Sequence, residues 1–247
     1  WDLYFEENKY NYLPFRSSSS KNIDLISSAS INGINYFRKG WKIPNHENLN
    51  LSRLGVKVQK IGNFNNNTIV SCSNIIPVKR VKKIIETLCL VKTKKVTWIH
   101  FGEGENMSII KNLATKKLPE NISFEFLGHI DNSKLLAWYK ANSPALFINL
   151  SLSEGIPVSI MEAMSFGIPC LATCVGGVEE LVTSESGFPV PKDIQDIDAA
   201  KIIDNYLGLD FNDRKKIMLK SYKHISLQFN ADKNYSEFCS KIKKLKD

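Results

Sequence analysis

The stretch "SLSEGIPVSIMEAMSFGIPCLATCVGGVEELV", residues 151–182, decides the fold, because it contains one helix with clear start and stop signals. Pro157 suits the first position of this helix, since its missing N–H would have no partner there. Gly167 and the following Pro169 mark the other end. The stretch therefore predicts a helix of about ten residues between two apolar strands.

The chain on both sides of this helix alternates short apolar strands with helices. The strands are "TIVSCSNII", "VTWIHFG", "ISFEFLG", "PALFINLS", "IPCLAT" and "GFPVP". Such alternation with short loops predicts an α/β fold with a doubly wound parallel sheet, which we place at residues 69–208. Ligands of such folds bind at the carboxyl ends of the strands, so the loops after the strands are the places to seek chemistry.

The segments outside this domain are less regular. Residues 22–59 predict one βαβ-like unit with too little apolar surface for a domain by itself, and "IGNFNNN", residues 61–67, predicts a linker. The tail from residue 211 to 247 is mostly helical by its spacing and ends in lysines. The chain begins at Trp1 and not at a methionine, so we expect a fragment of a longer protein.

The composition predicts a cytoplasmic globular protein. Hydrophobic residues make up 43% of the 247 residues and charged residues 23%, and no apolar run is long enough to cross a bilayer. The five cysteines are scattered and odd in number, which favours reduced thiols. Cys170 and Cys174 resemble half of a metal site, but no second ligand pair follows, so we expect no metal and no cofactor.

The formal net charge of +8 admits nucleic acid, an anionic membrane face or phosphate-bearing small molecules as partners. The basic clusters lack the interleaved aromatic residues that bind single-stranded nucleic acid, so we expect no nucleic-acid partner. Most of these lysines are expected on solvated helix faces. Contact with an anionic lipid surface is the alternative.

The amino end of the central helix is expected to bind an anion, since its free N–H groups and positive dipole end point into the crevice. Glu154 lies in the loop beside this end, and Glu162 lies roughly 8 Å further along the axis. A buried carboxylate at Glu162 needs hydroxyl or other donors. The pair suits a nucleotide sugar, with a diphosphate between its two sugar rings, although a chain with this many glutamates gives such a spacing about once by chance.

At these residues the chain resembles the group 1 retaining glycosyltransferases of the GT-B fold. Their E-x7-E motif matches Glu154 and Glu162, and their Gly-Gly turn matches Gly176 and Gly177. "IVSCSNIIPVKRV" resembles the first strand and basic loop of their donor domain, with Lys79 at the lysine that neutralises the donor diphosphate. "WIHFGEGEN" and "FEFLGHIDNSKLLAWYKAN" align in order.

The resemblance implies roles for individual residues. Glu162 holds the ribose, and Glu154 is the catalytic residue that contacts the transferred sugar and stabilises its developing positive charge. The implied donor-binding residues are Asn74, Lys79, Gly102, Ile130, Glu154, Gly155, Ile156, Pro157, Val158 and Glu162. Family members work with retention and without a bound metal. This chain departs from them at Asn74, where an arginine is common, and at Arg80, where a glycine is common.

The resemblance also implies the organisation of the chain. Residues 1–50 are the end of an acceptor-side Rossmann-like domain, residues 51–68 a linker, residues 69–208 the nucleotide-sugar-binding domain and residues 209–247 a helical tail. We expect a transferase that moves a sugar from a UDP or GDP sugar to a glycan or lipid-linked acceptor in bacterial surface polysaccharide synthesis, at the inner face of the membrane. The alternatives are a non-catalytic nucleotide-sugar-binding fragment and another GT-B enzyme such as a sugar-nucleotide epimerase.

Three rival signals are weaker. "FGEGEN" lacks the third glycine of a dinucleotide fingerprint, since Met107 occupies that position. Asp196 and Asp198 form a D-x-D pattern, but they open a helix, so helix capping is favoured over metal binding. His100 and His129 lie at strand ends and are expected to be packed or hydrogen-bonded residues and not bases.

Overall fold

The computed structural model describes residues 23–40, 49–62 and 66–245. Its main body is a six-stranded sheet in which every neighbouring pair is parallel. In chain order these strands are β3 (Thr68–Cys72), β4 (Val96–Phe101), β5 (Ile122–Gly128), β6 (Leu146–Asn149), β7 (Cys170–Thr173) and β8 (Phe188–Val190). The order across the sheet is β5-β4-β3-β6-β7-β8. The predicted doubly wound parallel sheet is confirmed.

Helices cover both faces of this sheet. The helices are α2 (Val81–Leu88), α3 (Met107–Lys117), α4 (Asn132–Asn142), α5 (Val158–Ser165), α6 (Val178–Leu181), α7 (Asp196–Leu207), α8 (Phe211–Gln228) and α9 (Ala231–Lys244). Apolar residues of α2, α3 and α7 fill the core on one face, and those of α4, α5, α6 and α8 fill the core on the other. Both faces of the strands are therefore buried, which explains why the strand sequences are continuously apolar.

A smaller unit precedes the sheet. It contains β1 (Ile26–Ser28), α1 (Ile31–Gly40) and β2 (Leu49–Leu51), and β1 pairs with β2 in parallel. The predicted βαβ-like unit is confirmed, and its second strand ends at Leu51, before the segment "LSRLGV" continues to Val56. Val56 of that segment makes only an isolated bridge to Asn230, so it joins the start of α9 instead of β2.

The C-terminal tail is helical, as predicted, and it holds the segment between the two sheets. The backbone N–H of Val56 donates to the carbonyl of Phe229 at 2.9 Å, and the N–H of Ala231 donates back to Val56 at 3.1 Å. The predicted linker is therefore packed against α8 and α9 over its described part. Among the described residues, no helix is long and apolar enough to span a membrane.

Glu180 joins the small unit to the main body. Its Oε1 accepts the backbone N–H groups of Ile31 at 2.7 Å and Asn32 at 3.2 Å, and its Oε2 pairs with Arg53 at 3.2 Å. A carboxylate at the start of α1 satisfies N–H groups that lack a partner within the helix and complements the helix dipole. The side chain of Glu180 on α6 thus links the small unit to the main body.

Arg80 closes the loop that leads from β3 into α2. Its backbone has φ 48°, a left-handed conformation, and its guanidinium donates to the carbonyl groups of Leu150, Ser151 and Lys192. A glycine adopts this conformation without cost, which gives a physical reason for the common glycine at this position. Here an arginine adopts the left-handed conformation at a cost in conformational free energy, and its side chain forms hydrogen bonds to the chain after β6.

We predict that Glu180→Ala lowers the free energy of unfolding by about 1–2 kcal/mol, since α1 loses its capping carboxylate. Urea denaturation measures the change, and hydrogen exchange at the Ile31 amide reports the loosened helix start. Glu179→Ala is the matched control, because Glu179 lies next to it on α6 and is exposed. Equal stability of the two variants would contradict the capping role.

We predict that Arg80→Gly is more stable than Arg80→Ala by about 1 kcal/mol. Both variants lose the guanidinium bonds, but only glycine removes the left-handed backbone cost. Both should be less stable than the parent protein, as measured by thermal or urea unfolding. A glycine variant no more stable than the alanine variant would show that the backbone at this position carries no strain.

Candidate functional site

The strand order reverses between β3 and β6, so the loops after these strands diverge and leave a crevice between them. The loop after β3 spans residues 73–80, and the loop after β6 spans residues 150–157. The backbone N–H of Leu152 donates to the carbonyl of Val78 at 2.8 Å, which ties the two loops together. This is the position at which doubly wound folds bind ligands.

An ion pair crosses the crevice. Lys79 Nζ lies 2.7 Å from Glu154 Oε2, and the side chain of Glu154 is only 7% exposed. Asn149, the last residue of β6, donates from Nδ2 to Glu154 Oε1 at 3.1 Å and accepts the backbone N–H of Ser151 at 3.0 Å. Both carboxylate oxygens of Glu154 are therefore held by side chains of the protein.

The Gly-Gly turn after β7 supports the loop that carries Glu154. Gly176 has φ 57°, and a Cβ there would lie 1.8 Å from the carbonyl oxygen of Glu154. The N–H of Gly177 donates to the carbonyl of Gly155 at 2.6 Å. A Cβ on Gly155 itself would meet no atom within 4 Å. The loop is thus packed against the Gly-Gly turn on one side, and its backbone at Gly155 is open on the other side.

Helix α5 begins beside this open space. Pro157 is its N-cap and Val158 its first residue, one position later than predicted, and the helix has eight residues instead of about ten. No described side chain caps its start, so the first N–H groups are left for solvent or an anion. Glu162 is the fifth residue of the helix.

A cleft of about 390 Å³ lies at the ends of β3, β4 and β5. It brings together four of the predicted donor-binding residues, namely Asn74, Gly102, Ile130 and Glu162. The other predicted residues do not line this cleft. Lys79, Glu154 and the segment 155–158 lie at the start of α5, and that helix carries Glu162 to the cleft. The predicted residues therefore form two adjoining groups on one edge of the sheet.

Glu162 is a nearly buried carboxylate, 9% exposed, between the buried apolar residues Met161 and Ala163. Asn132, the first residue of α4, donates from Nδ2 to Glu162 Oε1 at 2.6 Å. Burial raises the pKa of Glu162, and the hydrogen bond from Asn132 opposes that rise. No described side chain donates to Oε2, which leaves this oxygen able to accept from a ligand.

Sequence reasoning missed Asn132 and Asn149. Asn149 lies five residues before Glu154, at the carboxyl end of a predicted strand, and this position is a signal that could have been used. Asn132 lies 30 positions from Glu162, so only the tertiary fold shows their contact.

The weaker candidates have other roles. His100 is fully buried, lies 2.8 Å through Nδ1 from Ser71 Oγ, and has its pKa lowered to about 4 by burial, so it is a packed residue as predicted. His129 lines the cleft. The predicted capping role of Asp196 is wrong: no side chain caps the start of α7, and Asp196 pairs with Lys83 at 2.7 Å.

Comparison with known proteins finds glycosyltransferases. The chain is 28% identical over 173 residues to an uncharacterized glycosyltransferase of Haemophilus influenzae, which covers 66% of this chain and 47% of the relative. It is 31% identical over 170 residues to the O-antigen biosynthesis glycosyltransferase WbnH of Escherichia coli, with 63% and 47% covered. The chain thus spans about half the length of these relatives.

Solved structures show the same architecture. The crystal structure of Anabaena Alr3699/HepE in complex with UDP and glucose matches with a TM-score of 0.76 at 18% identity, covering 92% of this chain and 65% of that one. At this identity the likeness shows the fold, which is that of GT-B glycosyltransferases. The family model of group 1 glycosyl transferases matches residues 57–224, well over half of the sequence. The chain belongs to the group 1 glycosyl transferases.

Proposed function

We propose that this chain is the donor-binding part of a retaining glycosyltransferase that uses a nucleoside diphosphate sugar of the UDP or GDP type. The observation that carries the proposal is the pair Glu154 and Glu162, which lie before and within α5 on the surface at the carboxyl ends of the strands. Lys79 and the uncapped start of α5 lie at one end of that surface, and the cleft lies at the other. A diphosphate between two sugar rings has matching chemistry.

The diphosphate is placed at the start of α5. Free N–H groups, the helix dipole and an ammonium group all favour an anion there. Gly155 has no side chain toward this space, so a phosphate oxygen can approach the backbone. Lys79 is the cation at this point, because the guanidinium of Arg80 is bound to backbone carbonyl groups and Asn74 is neutral.

The ribose and base are placed in the cleft. Glu162 Oε2 accepts from ribose hydroxyls, and the base lies by Ile130 in the loop after β5. Asn74 and Gly102 form the opposite wall. The HepE structure is a complex with UDP and glucose, which supports a nucleotide as the ligand of this cleft.

Glu154 is placed at the transferred sugar. Its carboxylate is held on both oxygens, by Lys79 and by Asn149, so its orientation is fixed before a donor arrives. A fixed negative charge beside the sugar stabilises the positive charge that develops at the anomeric carbon as the bond to the diphosphate breaks. A bound diphosphate also pairs with Lys79, and the ammonium group then reduces the repulsion between the diphosphate and the Glu154 carboxylate.

The acceptor is proposed to be a glycan or a lipid-linked sugar of bacterial surface polysaccharide synthesis, by analogy with the O-antigen relative. We place the reaction in the cytoplasm, at the inner face of the membrane. The cations of residues 79–83 do not form a free basic surface, since Lys79, Arg80 and Lys83 are bound within the protein. Peripheral contact is instead assigned to the exposed lysines at the end of α9.

We predict that Glu162→Gln binds nucleoside diphosphates more weakly than the parent protein, by about 1–3 kcal/mol, because a charged acceptor of hydroxyl groups is lost. Isothermal titration with UDP and GDP measures the difference. Glu120→Gln, an exposed glutamate away from the site, is the matched control and should bind as the parent does. Equal affinities for all three proteins would argue heavily against this site.

A further inference from the structure

Asn132 lines the cleft beside Glu162. It is the first residue of α4, follows the loop after β5, and lies on a different element from the E-x7-E pair. Its amide Nδ2 lies 2.6 Å from Glu162 Oε1, and both residues line the same cleft. We propose that Asn132 is the positioning residue for Glu162: its amide fixes one carboxylate oxygen and turns the other toward the ribose hydroxyls of the donor.

The surroundings of Glu162 make this one contact important. Its neighbours Met161 and Ala163 are fully buried, and α5 packs into the core on the same face as α4 and α8. Among the described ion pairs none includes Glu162, so no positive side chain holds it. A nearly buried carboxylate without a cation depends on its hydrogen bonds for the free energy of the charged form.

The two titratable core groups that interact electrostatically with Glu162 supply no positive charge. Cys72 on β3 has its pKa raised to about 12 by burial and by Glu162, so its thiol stays protonated. Tyr139 on α4 is fully buried, and burial raises its pKa well above the usual value. His129 and Asp131 line the cleft beside Asn132. Among the described residues, the neutral amide of Asn132 is thus a hydrogen-bond donor that favours the ionised form of Glu162.

The consequence is a defined pH dependence, which rests on the proposed ribose role of Glu162. Only the ionised carboxylate accepts from both ribose hydroxyls, so donor binding is lost as the pH falls through the pKa of Glu162. Loss of the Asn132 amide raises that pKa further. Donor binding by a variant without this amide must therefore fail at a higher pH than in the parent protein.

The test compares three variants of the full chain with the parent. Asn132→Ala removes the amide, and Asn132→Asp puts a like charge beside Glu162 while keeping a residue that suits a helix start. Asn106→Ala is the matched control, since Asn106 precedes α3 without a side-chain capping bond and lies outside the cleft. The probe is UDP-glucose, or GDP-mannose if the former does not bind, because the diphosphate of a sugar nucleotide stays ionised throughout the range.

Isothermal titration between about pH 5 and 8 covers the range where a raised carboxyl pKa shows. We expect Asn132→Ala to weaken binding by roughly 3- to 10-fold near neutral pH and to move the acid limit of binding to higher pH. Asn132→Asp should move that limit further, and Asn106→Ala should leave both quantities unchanged. Circular dichroism confirms that each variant is folded.

Three results would overturn the inference in distinguishable ways. A parent protein that binds neither sugar nucleotide contradicts the proposed function, and the inference falls with it. A parent protein that binds, with Asn132→Ala unchanged, contradicts the inference alone. A uniform loss of affinity with an unmoved acid limit shows that Asn132 only supports the local structure and does not control the charge of Glu162.

Discussion

The bond between Lys79 and Glu154 is the contact on which the site depends. It joins the loops after β3 and β6 at the point where the order of the strands in the sheet reverses. At this distance the positive charge of Lys79 offsets the negative charge of Glu154. Without the lysine, Glu154 would repel an anion from the crevice. The same pairing keeps the Lys79 ammonium group beside the start of α5. In the proposed function, a diphosphate therefore binds with a shift of the Lys79 side chain and without a change of fold.

The features that the sequence allows one to predict are those set by local patterns. Apolar strands alternating with helices require a parallel sheet covered on both faces, and the residues 151–182 contain a proline and a glycine that bound α5 within two positions of where it lies. The spacing of Glu154 and Glu162 then follows from helix geometry. The predicted doubly wound parallel sheet is therefore confirmed, because each step of that prediction involves residues close together in the chain.

The features that were not predictable depend on contacts between distant segments. The contact of Asn132 with Glu162 and that of Asp196 with Lys83 join residues on different helices, and no periodic pattern marks such pairs. Arg80 is a third case. Its left-handed backbone directs the guanidinium toward carbonyl groups after β6, which its basic charge alone does not indicate. A basic residue in a ligand loop is thus not necessarily a ligand-binding residue.

Two asparagines play the same structural role at the two glutamates of the site. Asn149 fixes Glu154 and Asn132 fixes Glu162, each through one amide hydrogen bond to Oε1. A neutral donor orients a carboxylate and leaves its charge in place, whereas a cation orients the carboxylate and also cancels its charge. Glu154 adds a cation at its other oxygen, and Glu162 keeps its other oxygen free for a ligand. The two glutamates thereby differ in charge balance although they belong to one motif.

A crystal structure of the protein with a bound nucleoside diphosphate sugar tests the central claim most directly. The account predicts the diphosphate within about 3 Å of the first N–H groups of α5 and of Lys79 Nζ, with the ribose hydroxyls at Glu162 Oε2. A donor bound at another edge of the sheet, or a ribose that leaves Glu162 in contact only with Asn132, would contradict it.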